Sequence, residues 1–423
     1  LVVGPSGVFM RYIERVLPSL GETAVALRSL GEVVDGVRAE RHDEPTVAEV
    51  KGSARMADVL ARLSRRQAPG SPEEFSVYYY DNRLRLDRGT LGRVRRQLMG
   101  QGHRNRQLSR VAGALIEAMW RQVRSDRGRE RGRPQFVDDM LSNDAFVDFA
   151  AAWWPPLSAH DVLAWLRDPE LLASVANGSL SEEEQRLLVK SWSSSGAALS
   201  IEDVPLLDEL RYLLGDVPAP TEEADDLLTA AEGGIDLVEL TTASDREYAP
   251  SGRAWAPPTG SIEDDAFAHV LVDEAQDLSP MQWRMVGRRG RTATWTVVGD
   301  PAQSSWPVRA EADAARAAAL EKKVVHAFHL STNYRNSAEI YAHAAAYAER
   351  VGLDADLPTA VRSTGVDPVV LTGVDDLQAA TREVVTDLAS RVDGTVGIVV
   401  PSARHSDVNR WLGLAPDTFE VFR

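Results

Sequence analysis

Two apolar runs that each end in carboxylates constrain this chain most. Val270-Leu-Val-Asp-Glu-Ala-Gln-Asp277 reads as a buried β-strand whose C-terminal tip carries the charge. Further along, Thr296-Val-Val-Gly-Asp-Pro-Ala-Gln303 repeats the pattern. The spacing suits two neighbouring parallel strands joined by a helix, which predicts an α/β fold. Such strands would line up Asp273, Glu274, Asp300 and Gln303 along one sheet edge. The carboxyl ends of parallel strands are where α/β folds place their ligands.

The residue types in that row point to phosphate chemistry. In P-loop NTPases one carboxylate holds magnesium, the next is placed to polarise an attacking water, and an amide senses the γ-phosphate. A lone Asp-Glu after a strand is more often a solvated turn, but a second motif at strand–loop–strand spacing reverses that balance. A third element is Leu330-Ser-Thr-Asn-Tyr-Arg-Asn336, which follows the apolar run Val324 to Leu330 and precedes a helix expected from Ser337. Arg335, at a helix start, suits an arginine finger that meets transition-state charge.

In these stretches the chain resembles superfamily 1 helicases of the UvrD/Rep type. Asp273-Glu-Ala-Gln276 is similar to their motif II, Gly299-Asp-Pro-Ala-Gln303 to motif III, and Asn333-Tyr334-Arg335 to motif IV. The resemblance implies that Asp273 binds Mg²⁺ and Glu274 is the general base. It implies that Gln303 couples the γ-phosphate to motion, that Arg335 contacts the γ-phosphate, and that Tyr334 stacks near the nucleotide base. ATP or GTP would be the substrate.

No Gly-x-x-x-x-Gly-Lys-Ser/Thr phosphate loop occurs in the sequence, and none of Lys51, Lys190, Lys322 and Lys323 follows a glycine-rich turn. The chain opens inside an apolar strand, Leu1-Val-Val-Gly4, and stops soon after another, Val396-Gly-Ile-Val-Val-Pro401. These features lead us to expect an internal fragment, cut after its P-loop helix, that does not hydrolyse ATP by itself.

Charge is divided along the chain. The net charge is −16, the wrong sign for a protein that lives on bare DNA. Residues 83–133 nevertheless hold fifteen arginines against four acids, a net of +11, while residues 216–265 hold thirteen acids against Arg246 and Arg253, a net of −11. Two surfaces with different partners follow from that asymmetry. The chain has no cysteine, which excludes disulfides, thiolate metal sites and cysteine nucleophiles and fits a cytoplasmic location. No apolar run reaches membrane-span length. His326 and His329 are neighbours in sequence, better explained by a strand end than by a metal.

Most of the sequence before motif II reads as an insertion. A helix is expected over 46–67. A hairpin is expected from Phe75-Ser-Val-Tyr-Tyr-Tyr80 and Arg83-Leu-Arg-Leu86, with Asp81-Asn82 as its turn. Basic helical stretches are expected over 89–124, broken near Gly100–His103. Further helices are expected over 137–153, 159–167, 181–191 and 201–214, with Ser181-Glu-Glu-Glu184 as a capping box. The stretch from Gly215 to Gly260 is proline-rich and acidic, and reads as a long loop or arm.

Three stretches narrow the resemblance to HelD-type helicase-like proteins, which bind bacterial RNA polymerase. They are Gly4-Pro-Ser-Gly-Val-Phe-Met-Arg-Tyr-Ile-Glu-Arg-Val-Leu-Pro-Ser-Leu-Gly-Glu22, Asp203-Val-Pro-Leu-Leu-Asp-Glu-Leu-Arg-Tyr-Leu-Leu-Gly215, and Gly299-Asp-Pro-Ala-Gln-Ser-Ser-Trp306. This resemblance implies two RecA-like motor domains. The first would comprise 1–36 and 265–325, the helical insertion 37–215, an acidic loop 216–264, and the start of a second motor domain 326–423. It implies a factor that inserts the acidic loop into the polymerase main channel and releases the enzyme from nucleic acid for recycling. Glu222, Glu223, Asp225, Asp226, Asp236, Glu239, Asp245 and Glu247 would be the partner-binding residues. Core RNA polymerase is then the expected partner, with nucleic acid secondary. A UvrD-like single-stranded DNA translocase is the alternative, in which Trp306 and the opening motif would grip bases. A non-catalytic scaffold is a third possibility.

Overall fold

The computed structural model describes residues 1–4, 7–16, 25–194, 198–217, 266–320, 323–353, 355–401 and 404–413. They divide into two compact units, Leu1–His326 and Ala327–Arg423.

The first unit is built on a parallel sheet. Strands β1 (Val2–Gly4), β2 (Leu27–Ser29), β5 (His269–Val272) and β6 (Thr294–Val297) lie in the order β2-β1-β5-β6, and every neighbouring pair is parallel. The two charged-tip strands are adjacent, with Val270 opposite Trp295 and Val272 opposite Val297. Val270 and Val272 are fully buried, as β-branched residues facing a packed helix should be. The core around them includes Val3, Leu30, Val34, Trp283, Met285 and Val286. Its covering helix (Pro280–Arg289) starts at a capping box in which Ser279 and Gln282 satisfy each other's backbone N–H groups, with Pro280 in the first turn.

Between β2 and β5 the chain leaves the sheet to form two further apolar cores. One gathers α2 (Pro45–Gly52), α3 (Arg55–Ser64) and the helices between Leu157 and Leu214, together with Met281. The other packs a hairpin, β3 (Phe75–Tyr79) and β4 (Asn82–Leu86), against α4 (Arg88–Met99), α5 (Leu108–Trp120), α7 (Gly132–Leu141) and α8 (Asp144–Trp153). Helices α1 (Gly7–Val16), α6 (Asp126–Glu130), α9 (Ala159–Ala164), α10 (Pro169–Ala176) and α11 (Glu182–Ser194) complete the order to this point.

Local details depart from the sequence expectations for identifiable reasons. The single helix expected over 46–67 breaks at Ser53, whose backbone turns extended at ψ 142°; beside it Gly52 lies hard against Ser279 and Trp306, where a Cβ would come within 2.7 and 2.8 Å of them. The hairpin turn falls on Tyr80-Asp81 rather than Asp81-Asn82, since Asn82 pairs with Tyr79. The stretch 137–153 divides at Asn143, whose side chain caps α8 by accepting from the Phe146 N–H. A helix over Pro169–Ala176, capped by Asp168, went unanticipated. The box at Ser181 forms: its N–H donates to Glu184 at 2.6 Å and its hydroxyl accepts from the Glu184 N–H at 3.2 Å.

In the second unit β7 (Thr332–Ser337) pairs in parallel with β8 (Thr359–Arg362), and Ser337 caps the helix Ala338–Val351. The runs Val324–Leu330 and Val396–Val400, both expected as strands, are unpaired here, and Val324, Phe328, Leu330 and Val399 are exposed. An apolar run becomes a strand only where a neighbour takes its backbone hydrogen bonds, and β7 instead forms over the polar Thr332–Ser337. The Glu339 carboxylate is held below its ordinary range by the Ser363 hydroxyl and by the N–H groups of Gly365 and Thr364. Among the described residues no helix is long and apolar enough to cross a membrane.

Candidate nucleotide site and its link to a neighbouring helix

At the carboxyl edge of the β1, β5 and β6 strands, Asp273 follows β5 and donates its N–H to the Val3 carbonyl at 3.0 Å. Its Oδ1 accepts from the Glu274 N–H at 3.0 Å. Glu274 sits in the left-handed region at φ 49°, uncommon for a residue with a side chain and a recurrent feature of functional turns. The flanking bonds hold it there: Ala275 N–H reaches the Val298 carbonyl at 3.0 Å, and Asp277 N–H the Glu274 carbonyl at 3.0 Å.

Gln276 joins the two motifs. Its Nε2 donates to Glu274 Oε2 at 2.7 Å while its Oε1 accepts the Asp300 N–H at 3.0 Å. Gly299 must be glycine for this to happen, since a Cβ there would stand 2.6 Å from Gln276 Oε1. Ser305 completes the clamp by donating its hydroxyl to Asp277 Oδ1 at 2.8 Å. Gln303, expected to sense phosphate, has its amide on Asp300 Oδ2 at 2.7 Å. Sequence reading passed over Gln276, although its amide stands two residues from the carboxylate it orients.

Tyr334 and Arg335 lie on β7 of the second unit, both exposed. Asn333 Oδ1 accepts from the Arg335 N–H at 3.0 Å, which fixes the backbone under that guanidinium. The residues Glu222, Glu223, Asp225, Asp226, Asp236, Glu239, Asp245 and Glu247 lie outside the described residues. Among the described residues no cluster of three or more His, Asp or Glu side chains suits a metal. His329 instead pairs with Asp356 at 2.6 Å. A single strand-tip carboxylate such as Asp273 fits magnesium, which keeps its waters and takes phosphate oxygens beside one or two carboxylates.

The helix that follows the Asp273–Asp277 turn is welded to α12 (Val204–Leu214), the helix that leads into the acidic stretch. Arg284 pairs with Glu209 at 2.6 Å, Arg289 with Asp208 at 2.9 Å, and Arg288 with both acids. Asp208, Glu209 and Arg289 are almost wholly buried. Burial alone would lower the Arg288 guanidinium, yet the Asp208 and Glu209 charges outweigh it and raise it. Arg288 also lies over the Tyr212 ring at 4.8 Å, and Tyr212 meets His103 edge to face. Asn105 Nδ2 then holds the Gly215 carbonyl at 2.8 Å, so the start of the acidic stretch is pinned to the corner of the arginine-rich segment.

A second buried hub joins α2 to the segment just before α12. Lys51, fully buried, pairs with Asp43 at 2.6 Å and Asp203 at 2.7 Å. Ser200 donates to Asp43 at 2.6 Å, and Trp192 Nε1 donates to Asp203 at 2.8 Å. Burial would raise the Asp43 carboxyl, but the Lys51 and Ser200 hydrogen bonds and the Lys51 charge prevail and hold it at about 2.

Residues 260–322 match the family model of the UvrD/REP helicase N-terminal domain. The match spans motif II, the clamped Gly299–Gln303 turn and the helix between them, and it supports a UvrD-like superfamily 1 relationship for this part of the chain. No curated protein matches the sequence.

Proposed function

We propose that this chain carries part of a RecA-like, nucleotide-hydrolysing motor that grips core RNA polymerase and frees it from nucleic acid. The observation that carries the reading is the ion lock from Arg284, Arg288 and Arg289 to the buried Asp208 and Glu209, which ties the helix after Glu274 to the root of the acidic stretch. A change at the nucleotide edge is thereby passed to the arm as a movement of packed helices.

In this reading Asp273 holds magnesium, whose charge neutralises phosphate oxygens when ATP or GTP is bound. Glu274, oriented by Gln276, takes the proton of the attacking water. Gln303 reports the γ-phosphate, Arg335 meets its charge and Tyr334 packs by the base. The acidic arm, with Glu222, Glu223, Asp225, Asp226, Asp236, Glu239, Asp245 and Glu247, enters the basic, magnesium-bearing polymerase channel in place of nucleic acid.

The translocase reading would use Trp306 to stack bases. That indole is half-buried against Gly52, whose Cβ would stand 2.8 Å from the ring, and so holds the insertion. The test is release of core RNA polymerase from an immobilised nucleic-acid scaffold by the protein with nucleotide. Release that is lost on deleting residues 218–258 supports the proposal, and release unaffected by that deletion contradicts it.

A further inference from the structure

The β3–β4 hairpin turns one face inward and one to solvent. Tyr79, Leu84 and Leu86 enter the core, whereas Tyr78 is 75% exposed and lies directly opposite the exposed Arg83. Tyr80, 44% exposed at the turn, adopts the left-handed conformation at φ 48°. Two neighbours brace its ring: buried Tyr79 meets it edge-on at 4.8 Å, and the Arg131 guanidinium stands 5.9 Å from its centre.

Asn82 fixes what stands beside these rings. Its Oδ1 accepts the N–H groups of Arg124 and Ser125 at 2.9 and 3.1 Å, and its Nδ2 donates to the Ser125 hydroxyl at 2.6 Å. The turn after α5 is thereby stapled to the hairpin tip, and Arg124 comes with it. Among the described residues Arg83, Arg124 and Arg127 carry no ion pair, whereas Arg85 is neutralised by Glu74. Two exposed tyrosines, Tyr80 braced and Tyr78 on the outer face of the strand, together with unpaired guanidiniums match the two needs of an unpaired polynucleotide: a flat surface for bases and positive charge for the phosphates between them. An acidic polypeptide would use the charge and leave the rings idle.

We infer that the outer face of this hairpin, with Tyr78, Tyr80, Arg83, Arg124 and Arg131, binds a single strand of nucleic acid. The site lies on the insertion, and the inference stands apart from the nucleotide-site reading.

The test is fluorescence anisotropy of a labelled oligothymidylate with the full chain, titrated at several salt concentrations. Wild type is expected to bind with marked salt dependence, and Tyr78→Ala to weaken binding about tenfold at fixed salt, with Tyr78→Phe restoring it. Arg83→Ala is expected to lower the salt slope by roughly one. Because Tyr78 and Arg83 are exposed, both variants should keep the wild-type melting temperature, which separates lost contact from lost fold. No binding by wild type, unchanged binding by Tyr78→Ala, or equal affinity for a duplex of the same length overturns the inference. Polyglutamate that competes as well as unlabelled oligothymidylate also overturns it, and assigns the face to an acidic polypeptide.

Discussion

Gln276 and Glu274 are joined side chain to side chain at 2.7 Å, and the same amide of Gln276 takes the Asp300 N–H at 3.0 Å. One residue therefore sets both the aim of the carboxylate after β5 and the position of the loop after β6. Glu274→Gln keeps the shape and the acceptor of that bond while removing the base. It is expected to lower nucleotide turnover by about 10²- to 10⁴-fold, with nucleotide binding retained in a fluorescent-nucleotide titration. Turnover near wild type removes Glu274 from the chemistry.

Gly299→Ala tests the clamp from the other side. The new methyl would meet Gln276 Oε1 at 2.6 Å and the backbone nitrogens of Ala275 and Gln276 at 3.2 Å, where the Gln276 amide is held by Asp300 and Glu274 and the Ala275 N–H by the Val298 carbonyl. Such crowding costs about 1–3 kcal/mol. The variant is expected to show a lower urea midpoint and to lose turnover together with it.

The Lys51 hub gives a pH signature. Asp43 falls from its ordinary 3.8 to about 2 in the folded chain, so its stabilisation is complete above about pH 4 and disappears as pH drops through about 2. Lys51→Met removes the buried cation that Asp43 and Asp203 share and leaves Asp43 only the half-exposed Arg41, at a cost of about 3–5 kcal/mol. Burial is then opposed only by what is left, the Ser200 and Arg41 hydrogen bonds among it, so the Asp43 carboxyl rises and the acid-unfolding limb moves to higher pH. Urea melts between pH 7 and 2.5 read both effects. An unmoved acid limb in Lys51→Met contradicts the assignment.

Glu209→Gln removes a charge that Arg284 and Arg288 share. The expected loss is about 3 kcal/mol, which comes from the largely buried Arg288 left short of a charge, since Arg284 is exposed enough to turn to solvent. Hydrogen exchange should quicken along Val204–Leu214 before it does along the hairpin Phe75–Leu86. Uniform protection in both segments contradicts a lock between α12 and the helix Pro280–Arg289.

The strands that carry Asp273 and Asp300, and the existence of the hairpin, were legible because β-branched or alternating runs end in turn residues there. The helix caps at Ser181 and Ser337 were legible for the same local reason. The Lys51 hub and the Arg288 lock were not, because their partners lie far apart in sequence: Lys51 meets Asp203, and Arg288 meets Asp208. A lone lysine after Val50 reads as surface until the fold brings two carboxylates to it. The run Val324–Leu330 misled because its apolar pattern matches a strand, while the pairing partner decides whether one forms.

The most direct measurement of the central claim is gel filtration of this chain with core RNA polymerase, comparing wild type with a variant lacking residues 218–258. The account predicts that wild type co-elutes with the polymerase and that the deletion weakens co-elution markedly. No co-elution by wild type, or co-elution that the deletion leaves unchanged, contradicts it.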